Sequence, residues 1–302
     1  MVILIFFFRP LGGYYTIEQS HSKLRIVVLN SVLWAGGAAR TDGPHRGRAQ
    51  WDWLQKILET ARSKKEMVYL VAHAGPGVEE RHNAGSSTAA GGGELTPSAN
   101  GRLLHVIRAF SDVIAGQFYG HRHADTFRLI YSEGRPVSWA LLAPSLTPRG
   151  AGSISNPGLR LYKFDSNTGK VLDYTQYYLD VTNTRGELHW SIEYNLTQYY
   201  GLREVSATSL DALADKIRIR HAPDISDCDT ACVHVHYCAI TKADYHEFRS
   251  CVRNPASALA SRAANNSAAI LIYAIFILHI VKTYQFKNHY IGESIVVPFR
   301  VI

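Results

Sequence analysis

The first 227 of the 302 residues contain no cysteine, the Lys and Arg residues form no run, and no apolar stretch is long enough for an ordinary membrane span. Each absence narrows the reading. Without a basic run there is no footprint for a nucleic-acid polymer, so none is expected as a partner. The apolar run Ala268–Val281 is interrupted by His279 and falls short of the roughly 20 residues that cross a bilayer. A short or interfacial anchor and a core helix both remain open for it. The polar and mixed residues that follow exclude a standard lipid-anchor signal. The N-terminal run Val2–Phe8 has no basic flank before it and no small-residue cleavage site after it, and it is too short for a signal peptide. A buried strand is the plainer reading.

Charged residues are also sparse, at 19% against 46% hydrophobic, which is the balance of a globular chain. The length suffices for one large domain or two smaller ones. What charge there is sums to +7, with 14 histidines besides. A basic balance favours anionic partners such as phosphate esters or acidic lipid headgroups, although an ordinary solvated surface explains scattered charges as well. The four cysteines are all late: Cys228, Cys232, Cys238 and Cys251. An even number in a short segment suggests two disulfides and an oxidising compartment. The Cys-x3-Cys spacing with His234 and His236 nearby is also that of a zinc site. Four cysteines allow three pairings, which spacing does not resolve.

Along the first half, strand and helix signals alternate. Leu24–Leu29 reads as a buried strand. A Gly-rich loop follows over Ala35–Gly47. A helix is expected from about Gln50 to Ser63, with Trp51, Leu54, Ile57, Leu58 and Ala61 on one face. Met67–Ala72 is the next strand and ends at His73. Ala74–Gly93 reads as loop. Thr96-Pro97 starts a second helix, whose apolar face is Leu103, Leu104, Ile107 and Phe110. Asp112–Tyr119 is a third strand, running into Gly120-His121-Arg122-His123. Phe127–Tyr131, Val137–Leu142, Leu159–Phe164 and Val171–Leu179 then read as successive strands, with turns at Gly134 and Asn167-Thr-Gly169, and the last two as a hairpin. From Trp190 onward helices are expected. This order predicts an α/β sandwich with an antiparallel extension.

The chemistry sits in His73, His121 and His123. Each follows an expected strand, at the end where open α/β sheets place their ligands. His121 and His123 are two apart, so in extended backbone their side chains would lean to one side. Converging imidazoles suit zinc, iron or manganese. Taken alone, Gly-His-x-His is modest: its chance frequency is about one in twenty chains of this composition.

A longer set of ordered segments is more specific. Gln50-Trp-Asp-Trp-Leu54, Val68–His73 and Asp112–His123 resemble the acid sphingomyelinase-like phosphodiesterases, a branch of the metallophosphoesterases. So do Ala143–Pro148, Asn156–Arg160, Gln176–Leu179, Glu193–Thr197 and Cys228–Cys232. The resemblance implies a partial metallophosphoesterase β-sandwich flanked by helices, over residues 13–185. It implies a small disulfide-stapled helical C-terminal unit over 186–255, and leaves 256–302 as an unassigned tail. It further implies two zinc ions that bind a substrate phosphate and activate a water for attack on phosphorus. His73 and His121 would hold one ion and His123 the other, and the bridges would be Cys228–Cys232 and Cys238–Cys251. The expected substrate is a lipid or nucleotide phosphodiester. The expected location is secreted or lysosomal, with Asn195 and Asn265 in glycosylation sequons and membrane-surface contact as a further expectation.

The chain departs from that pattern. No Asp-x-His, Gly-Asp or Gly-Asn-His string precedes His73, so the other metal ligands and the acid of the family site have no counterpart, and no catalytic residue is assigned. Two dications without a bridging carboxylate repel each other. The resemblance therefore implies an N-terminally truncated enzyme of little or no activity alone. The alternative is a non-catalytic fragment or isoform that acts as a binding or membrane-associated module.

Overall fold

The computed structural model describes residues 4–8, 12–19, 23–35, 43–78, 95–147, 156–165, 167–182, 188–219, 228 and 230–254. The chain divides into a unit Met1–Val252 and a unit Arg253–Ile302, and the sheets and their cores belong to the first. Asn265, the run Ala268–Val281 and the tail 256–302 lie outside the described residues.

A seven-stranded mixed sheet forms the centre, in the order β1-β2-β3-β4-β5-β7-β6. Its strands are β1 Leu4–Phe8, β2 Tyr15–Gln19, β3 Leu24–Val28, β4 Met67–Ala72, β5 Ile114–Tyr119, β6 Thr126–Ser132 and β7 Arg135–Leu142. β3, β4, β5 and β7 run parallel, and β1, β2 and β6 pair antiparallel at the two sides. The parallel pairs need crossovers, which helices supply. Helix α1 (Gly43–Lys64) joins β3 to β4, and helix α2 (Pro97–Ala109) lies between β4 and β5. The Thr96 hydroxyl caps α2 by accepting the Ala99 N–H, with Pro97 at the first helical position.

Both helices cover one face of the sheet. Leu54, Leu58 and Ala61 of α1 and Leu103, Leu104 and Ile107 of α2 pack with Val27, Val68, Leu70 and Ile130. Successive strand residues point to opposite faces, so Leu24, Tyr69, Leu129, Trp139 and Leu141 form a second core on the other side. A three-stranded antiparallel sheet closes over it, in the order β10-β9-β8: β8 Gly158–Phe164, β9 Val171–Leu179 and β10 Trp190–Asn195. The Tyr69 hydroxyl donates to the Gly169 carbonyl at 2.8 Å, and the Phe118 and Tyr162 rings meet edge to face at 4.9 Å. These contacts tie the two sheets together.

Four short helices complete the fold: α3 Leu196–Tyr200, α4 Ala207–Ile219, α5 Thr230–Thr241 and α6 Tyr245–Arg253. Leu210, Leu213 and Ala214 of α4 and Tyr237 and Ile240 of α5 extend the second core. Of the three pairings open to four cysteines, the structure contains Cys228–Cys232 and Cys238–Cys251, with no free thiol among the described residues. The α/β sandwich read from the sequence, with its disulfide-linked helical end, is thus the fold observed.

Three elements differ from the sequence reading. α1 starts at Gly43 rather than near Gln50, inside the expected loop. β2, Tyr15–Gln19, is a strand that the sequence reading does not include, because Thr16, Glu18 and Gln19 leave it no apolar run. The segment after Trp190 opens as a strand, β10, rather than a helix. It pairs with β9 through a bulge between Ile192 and Tyr194, which leaves Trp190 and Ile192 exposed and turns Tyr194 toward the second core. On the other flank, Arg25 is 2% exposed within β3, and its guanidinium is answered by the Glu66 carboxylate at 2.7 Å and by Glu18. Burying that charge is tolerable only with such partners.

Candidate functional site

β4 and β5 are parallel neighbours, and their last residues, Ala72 and Tyr119, stand opposite each other. The next residues therefore emerge side by side, and the Gly120 N–H donates to the His73 carbonyl at 3.0 Å. The Ala74 N–H donates to the Ser31 hydroxyl at 3.1 Å, which anchors this end to the turn after β3. Gly75 allows the close approach of the buried Tyr119: a Cβ there would lie 2.6 Å from the Tyr119 ring. Burial raises the Tyr119 phenol pKa, so the group stays protonated and donates to Gln117 Oε1 at 3.0 Å.

This scaffold brings two of the three histidines together. His121 Nδ1 lies 2.9 Å from His73 Nε2, and the rings meet edge to face at 4.8 Å between centroids. The backbone differs from the extended form expected of it. His121 and His123 have φ of +63° and +52°, so both sit in the left-handed region. That conformation costs an L residue roughly 1–2 kcal/mol, and histidine is among the residues that adopt it more readily. His123 is exposed and does not join the other two: among the described residues, no group of three ligand atoms within 4.8 Å contains His73, His121 and His123.

The pair suits one transition metal. Zinc–imidazole bonds run about 2.0–2.1 Å, which sets two nitrogens on one tetrahedral ion about 3.4 Å apart. A small ring rotation takes the observed 2.9 Å to that value. The described residues thus offer two nitrogen donors at one point and a third imidazole nearby. They offer no carboxylate bridging them. The groups of three that do lie within 4.8 Å are Cys228, Cys232 and His236, and His234, Cys238 and Cys251. Their sulfurs are bonded to each other, and a disulfide supplies no thiolate. The alternative reading of this segment as a Cys/His zinc site is corrected accordingly.

Sequence reasoning passed over the residues that hold the His121–His123 turn. Arg122, between the two histidines, is 4% exposed and donates to the Gly77 carbonyl at 2.7 Å and to the Val78 carbonyl. Asp125 accepts from Arg160 Nη2 and from the hydroxyls of Tyr194 and Tyr174. Burial alone would lower the Arg160 pKa, but the Asp125 carboxylate together with the neighbouring Tyr174, Tyr162 and Tyr194 outweighs it, and the net shift is upward. Tyr194 is raised by burial and by Asp125, and Tyr200 is pushed up to about 12 by the same two causes. These phenols therefore stay protonated near neutral pH, and that of Tyr194 donates to Asp125. The signal that was available is the carboxylate two positions after His123 in His-x-His-x-Asp.

Asn195 ends β10. Its side-chain amide donates to the Thr175 hydroxyl at 2.7 Å, and the sequon's Thr197 hydroxyl donates to Asp173 at 2.9 Å. Both sequon side chains are thus engaged in the folded chain.

The amino-acid sequence of this chain has relatives among known proteins. Residues 135–258 match the family described as the acid sphingomyelin phosphodiesterase C-terminal region. Over a wider span the chain is 33% identical to cyclic GMP-AMP phosphodiesterase SMPDL3A of Bos taurus, covering 80% of this chain and 57% of that protein. It is 30% identical to acid sphingomyelinase-like phosphodiesterase 3b of Homo sapiens, covering 76% and 53%. With sphingomyelinase phosphodiesterase C of Dictyostelium discoideum it shares 27% identity, covering 80% and 58%. The chain spans little more than half the length of these relatives. It is homologous to the acid sphingomyelinase-like phosphodiesterases, as its sequence motifs indicate.

Proposed function

We propose that this chain carries part of the metal centre of a phosphodiester hydrolase. His73 and His121 would hold one zinc ion, and His123 would face a second. The single observation that carries the reading is the 2.9 Å approach of His121 Nδ1 to His73 Nε2 at the ends of adjacent parallel strands. Homology to proteins named as phosphodiesterases supports the reaction class. Bound zinc would act as a Lewis acid toward a phosphoryl oxygen and lower the pKa of a bound water. The chain's own residues orient the imidazoles and hold the turn that presents them. The substrate would be a lipid or nucleotide phosphodiester. The two disulfides support an oxidising location, secreted or lysosomal.

With two nitrogen donors converging and no bridging carboxylate, the described residues are a weak site by themselves, and we expect low turnover of this chain alone. In domain terms, residues 13–185 would supply the catalytic half-sandwich and 186–255 the helical unit. The test is metal content of the purified full chain after exposure to zinc and dialysis, together with hydrolysis of bis(p-nitrophenyl) phosphate. Zinc retained by the wild type and lost in His73→Ala and His121→Ala supports the reading. Folded protein that retains no zinc and cleaves nothing overturns it and leaves a non-catalytic binding module.

A further inference from the structure

The turn that carries His121 and His123 is held from both sides, and the outer hold is built from an ion pair whose arginine is buried. On the inner side, Arg122 is fastened to the carbonyls of Gly77 and Val78. On the outer side, Asp125 meets Arg160, which belongs to β8 of the other sheet. The Arg160 side chain is 1% exposed and the Asp125 side chain 34%. Every nitrogen of the guanidinium is engaged: Nε donates to Gln176 Oε1 at 2.7 Å, Nη1 to the Leu142 carbonyl at 3.0 Å, and Nη2 to Asp125. Its face also lies over the Tyr174 ring at 4.2 Å. Arg160 is thereby fixed against the end of β7, the middle of β9 and the turn at once.

We propose that Asp125, locked by Arg160, is a positioning residue for the metal-facing histidines. The proposal rests on the metal reading given above. His123 is separated from Asp125 by Ala124 alone, and His121 and His123 both hold a left-handed backbone that persists only when the surroundings enforce it. Releasing Asp125 frees the turn to relax and swings the imidazoles of His121 and His123 away from the ions they would face. Groups that orient ligands without touching the metal commonly change metal affinity by about 10–100-fold.

The experiment titrates cobalt(II) into the metal-free full chain and follows its visible absorption, which reports ligand number and geometry as well as affinity. Asp125→Ala is expected to bind cobalt about 10–100-fold more weakly, with an altered spectrum. Arg160→Lys keeps the charge and loses the planar fork. It is expected to fall between Asp125→Ala and wild type, and it serves if Asp125→Ala does not fold. Tyr69→Phe is the control: it removes a different hydrogen bond between the sheets, Tyr69 to Gly169, away from the turn. It should lower stability and leave cobalt affinity unchanged. Wild-type affinity and spectrum in folded Asp125→Ala or Arg160→Lys would overturn the positioning role while leaving the metal reading intact. Failure of the wild type to take up cobalt would instead remove the metal reading, and this inference with it.

Discussion

The Asn100 side chain joins the loop behind the histidines to the C-terminal helices: its Oδ1 accepts the Gly77 N–H at 3.0 Å, and its Nδ2 donates to the Ala243 carbonyl at 3.0 Å, 143 residues away. Asn100 is 1% exposed. Gly77 in turn receives Arg122 at its carbonyl, so one amide links α2, the site loop and the turn between α5 and α6. Asn100→Ala strands a buried donor and a buried acceptor, each costing about 1–3 kcal/mol. The expected loss is roughly 2–4 kcal/mol, read from the urea midpoint at unchanged slope. A change below about 0.5 kcal/mol would mean that water replaces the amide and the link is not needed.

The two disulfides differ in how far they are buried and in the loops they close. Cys238 and Cys251 are 0% and 7% exposed and stand 13 residues apart. Cys228 and Cys232 are half-buried and four apart. The longer closure constrains the unfolded chain more, and for such a loop the contribution is about 3 kcal/mol. Under mild dithiothreitol at neutral pH, Cys228–Cys232 is expected to reduce first, and Cys238–Cys251 to resist until the protein unfolds. Alkylation followed by mass spectrometry gives the order. Simultaneous reduction of both would contradict it. The double variant Cys238→Ala/Cys251→Ala should lose about 3 kcal/mol, and the matching change at Cys228 and Cys232 less.

Much of this arrangement was legible in the sequence because local chemistry and tertiary contact agree there. Leu54, Leu58 and Ala61 face the core at helical spacing, and Thr96-Pro97 starts α2 as its chemistry dictates. His73 and His121 were readable as neighbours because each ends a strand and the two strands are parallel. The rest depends on partners distant in the chain. β10 becomes a strand because β9 offers it an edge, which no local pattern encodes. The left-handed turn at His121 and His123 is held by Gly77, Val78 and Arg160. A reading limited to spacing assumes extended backbone there. Arg160 and Asp125 are 35 residues apart, and single-sequence patterns carry no sign of such a pair.

The β8–β9 hairpin should report its own pH dependence through Asp165. Its carboxylate accepts the backbone N–H groups of Asn167 and Thr168, at 2.8 and 3.1 Å, and these bonds hold its pKa below the ordinary value of 3.8. A carboxyl whose folded pKa is depressed adds stability that is fully present above the unfolded value. That stability is lost as the pH falls through the lower folded value. Asp165→Asn should therefore be less stable than wild type at pH 7, and the gap should narrow only below about pH 4. Melting temperatures of the two proteins from pH 7 to pH 2.5 give the comparison. A gap constant over that range would show that the charge does not contribute.

The outer face of the three-stranded sheet leaves apolar side chains in water. Leu159, Tyr177 and Ile192 stand in one row across β8, β9 and β10, and Leu161 lies on the same face two residues along β8. Leu159, Leu161 and Ile192 are 39%, 57% and 60% exposed. Contiguous exposed apolar surface promotes association, and β10 and β8 are both edges of their sheet. Leu161→Thr/Ile192→Thr keeps β-propensity while removing apolar area. Exposed sites of this kind shift stability by about 0.5 kcal/mol or less, so the melting temperature should hardly move. Light scattering at high protein concentration should fall, and binding of an apolar dye to the native protein should fall with it. If instead the melting temperature drops by many degrees, these side chains are packed in solution and the face is not open to water. If scattering and dye binding match wild type at equal stability, this surface does not drive association.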